Sequence, residues 1–468
     1  MAMTVDLGFD PNEASLLIDL YELMMAAALF EENLNDAACF SLSVRRLPAN
    51  RGYLVAAGIE RLLDVLEAFH FGPAAISYLE SLKLFPARFL DHLARLRFSG
   101  EVRALAEGAI FFADEPLLEI RGPLIETQLF ETIALNLVGT ASLIASKAAR
   151  CVSVAGGRRL VDFGMRRAHG TEAGLIAARS SYLTGFVGTS NVLAGRRYGV
   201  PLYGTMAHSY VMAHETERAA FESFARVFPG LSTLLVDTYS TPKGVENAVA
   251  VARNLRASGF KLQGVRLDSG DLAALSRPAR RLLDQNGLQE AAIFASGNLD
   301  EYAIADLVKA GAPIDAFGVG TAMVTSADEP WLDIIYKLVE YNGKPRAKTS
   351  PGKASIPGRK QIYRAFDGLG GMASDIITLI EEGAQTVARE LKRPAADLKP
   401  LLVARFENGR RLDSARSLAE SRQVFSESFA KLDQRYKAIR KPDSYLVVRS
   451  RALNALQISE KLRASARQ

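Results

Sequence analysis

At 468 residues, 49% of them hydrophobic and 23% charged, the chain has room for roughly two or three domains and the composition of a globular protein, not a disordered or fibrous one. Its two cysteines, Cys39 and Cys151, exclude a disulfide framework and a cysteine-built zinc site and suit a reducing cytosol. The net charge of +5 is mild and spread out apart from a basic C-terminal tail, so no nucleic-acid partner is expected and anionic small substrates fit better.

The first residues, MAMTVDLGFDPNEASLL, carry Asp6 and Asp10 without a basic stretch and do not read as a signal peptide. SLLIDLYELMMAAALFEE repeats apolar residues at helical spacing and predicts a helix. Its apolar part is too short to span a bilayer and holds Glu22, so no membrane partner is expected and a cytoplasmic location is. ACFSLSVRRLP predicts a strand ending at Pro48, and IERLLDVLEAF and YLESLKLF predict helices. GEVRALAEGAIFFADEPLLEIRGPLIETQL consists of short alternating runs broken by Gly and Pro, which is β texture. FETIALNLVGTASLIASKAARC then predicts a long helix, apolar on most faces and therefore buried.

From residue 158 to 340 short apolar runs end in small or polar residues, and each leads into a helical stretch: RLVDFGMR, TGFVGTSN, VPLYGTMAHS, TLLVDTYST, LQGVRLDSGD, AIFASGNL and IDAFGVGTAM. They recur about every 20–35 residues, the length of a βα unit, and predict a parallel sheet closed as a TIM-like barrel. A Lys/Gly/Pro-rich loop over residues 344–360 follows, then strand-like pieces, and the basic tail reads as a solvated surface helix. The expected division is residues 1–135, helical and β; 136–340, an α/β barrel with the active site; and 341–468, a C-terminal segment that completes a β domain and ends in helix.

In a parallel barrel the site lies at the C-terminal ends of the strands. Here those ends carry Asp162, Arg166, Arg167, His169, Thr189, Ser190, His208, Ser209, Asp237, Thr238, Arg266, Asp268, Ser269, Asp271, Ser296, Asn298, Gly318, Gly320 and Thr321. Each alone is explained by a helix cap or a surface turn; together they mark a charged mouth. SGN (Ser296–Asn298) and GVGT (Gly318–Thr321) end the last two runs, where barrels bind phosphate through glycine loops and helix N-termini. In VRLDSGDL, strand alternation puts Arg266 and Asp268 on one face. An arginine there grips a carboxylate or phosphate, and an aspartate can hold Mg2+ shared with substrate phosphates; the plainer alternative is an ion pair bracing the barrel. His208, in GTMAHSYVMAHE, has neither zinc-ligand spacing nor a core setting, which leaves proton transfer or phosphoryl transfer.

The segments LLIDLYELMMA, FFADEPLLEIRGPLIETQLFET, DFGMRRAHG, GTSNVLAG, YGTMAHSYV, LLVDTYST, GVRLDSGDL, ASGNLDE and DAFGVGTAMVT resemble, in order and over nearly the whole chain, the nicotinate phosphoribosyltransferase family. The resemblance implies an irregular TIM-like α/β barrel of the type II phosphoribosyltransferase kind, with a second, mainly β domain built from the N- and C-terminal segments. It implies an ATP-dependent ligase or glycosyltransferase that condenses nicotinate with phosphoribosyl pyrophosphate, using Mg2+ and a phosphohistidine, in a homodimer with shared active sites. On this resemblance His208 would be the phosphorylated histidine. Phe163 would stack on one face of the pyridine ring and Tyr21 of the other subunit on the opposite face, although Tyr21 also suits plain interface packing. Arg266 would bind the substrate carboxylate, and Asp237 and Asp268 the ribose hydroxyls or Mg2+. Gly297, Asn298, Gly320 and Thr321 would hold the 5′-phosphate and Arg166 would neutralise phosphate charge, with Ser209 in the substrate-binding set. Lys348 and Lys353 would close over ATP or pyrophosphate.

In the related nicotinamide-using family an aspartate stands where this chain has Ser190; an aspartate would repel nicotinate's carboxylate and serine does not. The alternatives are a nicotinamide or quinolinate phosphoribosyltransferase, or a catalytically silent nucleotide-binding relative. A dehydrogenase reading fails for want of a strand-linked GxGxxG.

Overall fold

The computed structural model describes residues 13–350 and 354–465. The chain folds as two units, one running up to Ser146 and resuming at Trp331, the other Lys147–Pro330. The sequence pattern places the ends of the barrel region at 136 and 340, about ten residues further out on each side.

In the Lys147–Pro330 unit, six short strands are each followed by a helix or helical turn: β1 (Arg159–Asp162), β2 (Gly188–Thr189), β3 (Thr233–Leu235), β4 (Gly264–Leu267), β5 (Ala292–Ala295) and β6 (Ala316–Val319). They pair in parallel in the order β2-β1-β6-β5-β4-β3. Asp162 lies beside Thr189 and Val319, and Leu267 beside Ala295, which in turn pairs with Phe317, so the strand ends are close, with a two-residue stagger between β5 and β6. Residues just past these positions therefore meet at one mouth. Residues from both ends of the sheet, Val187 and Leu202 on one side and Thr233 and Gln263 on the other, line a single cavity of about 240 Å³ at the opposite end, so the sheet is curled into an irregular barrel.

The seventh expected run, VPLYGTMAHS, does not form a strand. It makes only one parallel bridge, Thr189 with Leu202. Pro201 has no N–H to give a ladder and Gly204 follows two residues past the bridge, so pairing stops there.

The other unit is mainly antiparallel. A seven-stranded sheet runs Lys344–Pro345, Ile334–Tyr341, Ala37–Val44, Pro116–Pro123, Glu101–Ala104, Val403–Glu407, Arg410–Arg411, and a four-stranded sheet is built from Leu398–Pro400, Lys360–Phe366, Met372–Leu379 and Val447–Arg449. Both chain ends contribute, because the central strand Ala37–Val44 pairs with Ile334–Tyr341 on one side and Pro116–Pro123 on the other. The first predicted helix begins later than its pattern suggested: Ala14–Leu16 is a 3-10 turn, and the α-helix is Leu20–Glu31. YLESLKLF is only the end of the helix Pro73–Ser81, stopped by the left-handed Lys83. The basic tail is not one surface helix, since Val447–Arg449 joins the four-stranded sheet before the helix Arg451–Ser465. The helix Glu131–Val154 is the one helix among the described residues long and apolar enough to cross a membrane; 78% of its most apolar stretch is buried inside the protein.

In the antiparallel unit the buried Arg364 grips Asp375 through two nitrogens, Nε to Oδ1 at 2.9 Å and Nη2 to Oδ2 at 2.6 Å, and the Tyr445 hydroxyl donates to Asp375 at 3.0 Å. Burial, and then the Asp375 charge, hold the neighbouring Glu115 carboxyl well above the usual carboxylate range. Replacing Arg364→Ala strands Asp375 as an uncompensated buried charge. The expected loss is about 3–5 kcal/mol, read as a fall in the urea midpoint followed by circular dichroism.

Candidate active site

At the mouth, strand alternation on β4 sends Arg266 and Asp268 the same way, as their spacing requires. Arg266 Nη2 lies 2.7 Å from Asp268 Oδ1. Ser296, at the end of β5, joins them: its Oγ accepts from Arg266 Nε at 2.8 Å and donates to Asp268 Oδ1 at 2.5 Å. Arg266 Nη1 reaches Thr205 Oγ1 at 3.2 Å and the Met206 carbonyl at 3.5 Å. Burial works against the charge on Asp268, but the hydrogen bond from Ser296 and the charge of Arg266 outweigh it and hold the carboxyl below its ordinary value.

Above this group lies a ring. The Arg266 guanidinium sits 5.3 Å from the centroid of Phe163, which is itself stacked on Phe294 at 5.5 Å. A Cβ on Gly318 would lie 2.6 Å from the Phe163 ring, so only glycine at the end of β6 admits it.

His208 opens the short helix His208–Met212. Its Nδ1 is 3.1 Å from Thr238 Oγ1 and its Nε2 is 3.7 Å from Asp268 Oδ2. Asp237, just past β3, spends one carboxylate oxygen on its neighbours: Oδ2 accepts from the Asp268 N–H at 2.8 Å and from Ser269 Oγ at 2.7 Å. The glycine loop after β5 is pressed against the same strand end. Gly297 has φ +92°, and a Cβ there would lie 1.9 Å from the Asp268 carbonyl oxygen. Asn298 follows at φ +50°. Gly320 leads into the helical turn Thr321–Val324. Arg166, Ser190, Ser209, Asn298 and Thr321 are exposed around the half-buried Phe163, Asp237, Arg266 and Asp268.

Three family models match the chain in order: the nicotinate phosphoribosyltransferase N-terminal domain over residues 16–139, the nicotinate phosphoribosyltransferase family over 158–393, and the nicotinate phosphoribosyltransferase C-terminal domain over 359–457. The chain belongs to the nicotinate phosphoribosyltransferase family. A nicotinate phosphoribosyltransferase of Mycobacterium tuberculosis is 47% identical over 398 residues, which cover 85% of this chain and 83% of that one. The Bacillus subtilis nicotinate phosphoribosyltransferase is 37% identical, with 95% and 94% covered. The crystal structure of human nicotinic acid phosphoribosyltransferase superposes with a TM-score of 0.82 at 34% identity, covering 94% of this chain and 99% of that one.

Within this family's mouth, some strand-end residues named from the sequence have local structural duties. Asp162 is buried and accepts from the Gly164 N–H at 2.8 Å and from Thr189 Oγ1 at 2.7 Å, so it braces the first loop. Asp271 caps the helix Leu272–Gln285. Sequence reasoning missed Thr205 altogether, gave Thr238 no role and read Ser296 only as part of a phosphate loop, although Thr205 and Ser296 hold Arg266 and Thr238 holds His208. Hydroxyls at strand ends carry no distinctive pattern; only their position one loop away from an arginine or a histidine marks them. Tyr21 and Lys348 belong to the other unit, where both are exposed. Lys353 lies outside the described residues.

Among the described residues no group of three or more His, Cys, Asp and Glu side chains is arranged to cage a metal. The mouth does offer Asp237 and Asp268, and Asp237 Oδ1 is buried without a hydrogen-bond partner. An orphaned carboxylate oxygen fits Mg2+, which needs only one or two protein carboxylates when water and phosphate fill the rest of its shell.

Gly297→Ala places a methyl against the Asp268 carbonyl at a left-handed backbone position, and the loop has to move away from β4. A displacement of about 1 Å in a positioning loop costs roughly 100-fold in turnover. Such a loss of kcat is the expected result, with far-ultraviolet circular dichroism unchanged.

Proposed function

We propose that the chain condenses nicotinate with phosphoribosyl pyrophosphate to nicotinate mononucleotide and pyrophosphate, a first step of NAD salvage, and that it couples this transfer to ATP hydrolysis through His208. The observation that carries the reading is the Arg266–Asp268–Ser296 group under the Phe163 ring, in a chain of this family. A planar acid needs a ring to lie on and a cation to meet its carboxylate. The contacts of Arg266 to Ser296, Thr205, Met206 and Asp268 use at most four N–H groups. A guanidinium has five, about one more than those contacts consume, so a donor remains for substrate.

In the reaction the bond from C1′ to the pyrophosphate oxygen breaks with its electron pair on the leaving group, and the pyridine nitrogen's lone pair forms the new bond to C1′. The pyridine nitrogen carries no proton, so no general base is required. The protein's task is to align the ring and stabilise charge. Phe163 supports one face of the ring, and Tyr21 from the partner in a homodimer supports the other. Arg266 orients the carboxylate. Gly297, Asn298, Gly320 and Thr321 receive the 5′-phosphate, Arg166 adds positive charge, and Ser209 lies beside the substrate. Asp237 and Asp268 hold the ribose hydroxyls or Mg2+. Mg2+, when bound, neutralises charge on the pyrophosphate. Ser190 leaves the ring's acid substituent unopposed by negative charge, which favours nicotinate over its amide.

His208 takes the γ-phosphoryl group of ATP as ADP departs with the electron pair of the broken P–O bond, and water later cleaves the N–P bond to give phosphate. Thr238 at 3.1 Å fixes the imidazole for this role. Lys348 closes over the nucleotide. Two free buried cysteines suit a cytoplasmic enzyme.

The purified protein, given phosphoribosyl pyrophosphate, Mg2+ and nicotinate, nicotinamide or quinolinate with and without ATP, should turn over nicotinate alone and do so faster with ATP. His208→Ala should lose ATP hydrolysis and its stimulation while keeping an uncoupled transfer. Full ATP stimulation in that variant would sink the phosphohistidine role, and turnover of another pyridine would overturn the specificity assigned to Ser190 and Arg266.

A further inference from the structure

We propose that Asp162 is a positioning residue for recognition of the pyridine acid: its buried carboxylate ties the loop that carries Phe163 to the loop that carries Ser190, and so fixes the ring platform relative to the position that admits a carboxylate. This rests on the roles given to Phe163 and Ser190 above.

Asp162 ends β1, beside Thr189 at the end of β2. Its side chain is buried, and a carboxylate taken out of water is costly unless it is hydrogen-bonded. Each of its oxygens serves a different loop. Oδ1 accepts from the Gly164 N–H at 2.8 Å, which closes a turn around Phe163, and the Phe163 N–H donates to the Val319 carbonyl at 2.8 Å. The ring is thus held through the backbone on both sides. A Cβ on Gly164 would lie 3.0 Å from that carboxylate oxygen and 2.7 Å from Val324 Cβ, so the turn is closely fitted. Oδ2 accepts from Thr189 Oγ1 at 2.7 Å, and the same hydroxyl oxygen accepts from the Asn191 N–H at 3.0 Å. Between those two residues stands Ser190, whose own N–H donates to the Asp162 carbonyl at 2.9 Å.

A second link runs back the other way. Asn191 Nδ2 reaches Met165 Sδ at 3.1 Å, from the second loop to the first, while Asn191 Oδ1 caps the helix Val192–Tyr198. The two loops are therefore joined at two points. A carboxylate suits the first of them because both of its oxygens accept; an amide has one acceptor and turns its NH2 toward the other loop. The joint matters because nicotinate is rigid, with its carboxylate at a fixed distance from the ring. Two independent loops would meet the ring and its substituent separately. Loops tied to one group present a single shape, which is what discriminates one ring substituent from another.

The test is a set of variants of the whole chain, Thr189→Val, Thr189→Ser, Asp162→Asn, Phe163→Ala and Ser190→Asp, with KM measured for nicotinate and for phosphoribosyl pyrophosphate separately. Thr189→Val matches the shape and lacks the hydroxyl. It should raise the nicotinate KM about tenfold, the scale of one hydrogen bond to a charged group, and leave the other KM unchanged. Thr189→Ser keeps the hydroxyl and should stay near the parent enzyme. Asp162→Asn should show the same nicotinate-selective rise, and adding Thr189→Val to it should cost nothing more, because both remove one contact. Additive effects, equal rises in both KM values, or a Thr189→Ser variant as poor as Thr189→Val overturn the proposal. If Phe163→Ala and Ser190→Asp raise the nicotinate KM while Thr189→Val does not, the reading of the site stands and the role of Asp162 falls. If neither of those two changes it, the roles of Phe163 and Ser190 are themselves wrong. Should Asp162→Asn fail to fold, the contrast between Thr189→Val and Thr189→Ser decides alone.

Discussion

The carboxylate of Asp268 is the point on which the mouth is assembled. It is pulled between Arg266 of its own strand and Ser296 of the next, faces His208 across 3.7 Å, and its peptide N–H is held by Asp237. Its carbonyl oxygen is the surface against which Gly297 is pressed. Burial alone would favour the neutral acid; Ser296 and Arg266 reverse that and keep it an anion. One side chain of its own strand and three from other segments thus owe their positions to one charge that stays ionised because they surround it. Arg266 is half-neutralised in the same exchange, so its grip on a further anion depends on geometry as much as on charge.

Much of this was legible from the sequence because a parallel barrel leaves a simple mark: apolar runs that end in polar residues, spaced by helices. That pattern located Arg266, Asp268, His208 and Asp237 at one mouth, and strand alternation alone put Arg266 and Asp268 on the same face. VPLYGTMAHS misled because its apolar texture matches a strand, while Pro201 denies it a ladder. Asp162 and Asp271 were indistinguishable from site residues, since a brace, a helix cap and a ligand use the same carboxylate at the same strand end. Thr205 was invisible because its importance lies in the arginine it touches, sixty-one positions later in the chain. The antiparallel unit was the least legible: the chain segments it pairs, such as Ala37–Val44 with Ile334–Tyr341, lie far apart in sequence and share no local signal.

The two units place different demands on their polar groups. In the barrel, His208, Asp237, Arg266 and Asp268 at the mouth are partly exposed and bonded to their neighbours, which suits groups that exchange partners when substrate arrives. In the antiparallel unit the ion pair of Arg364 and Asp375 is sealed under the stacked rings of Phe112 and Tyr445, 3.8 Å apart, and has no such freedom. The first kind of network holds a reacting centre and the second fixes a scaffold.

The brevity of the barrel strands has a consequence for how such a protein can change. Strands of two to four residues have almost no middle: a position belongs either to the floor or to the rim. Longer barrels can gain robustness through substitutions in interior layers that never meet the substrate. This one has no such reserve. A lineage adapting it to heat must look to helices, caps and the antiparallel unit, or else alter the rim and the chemistry together.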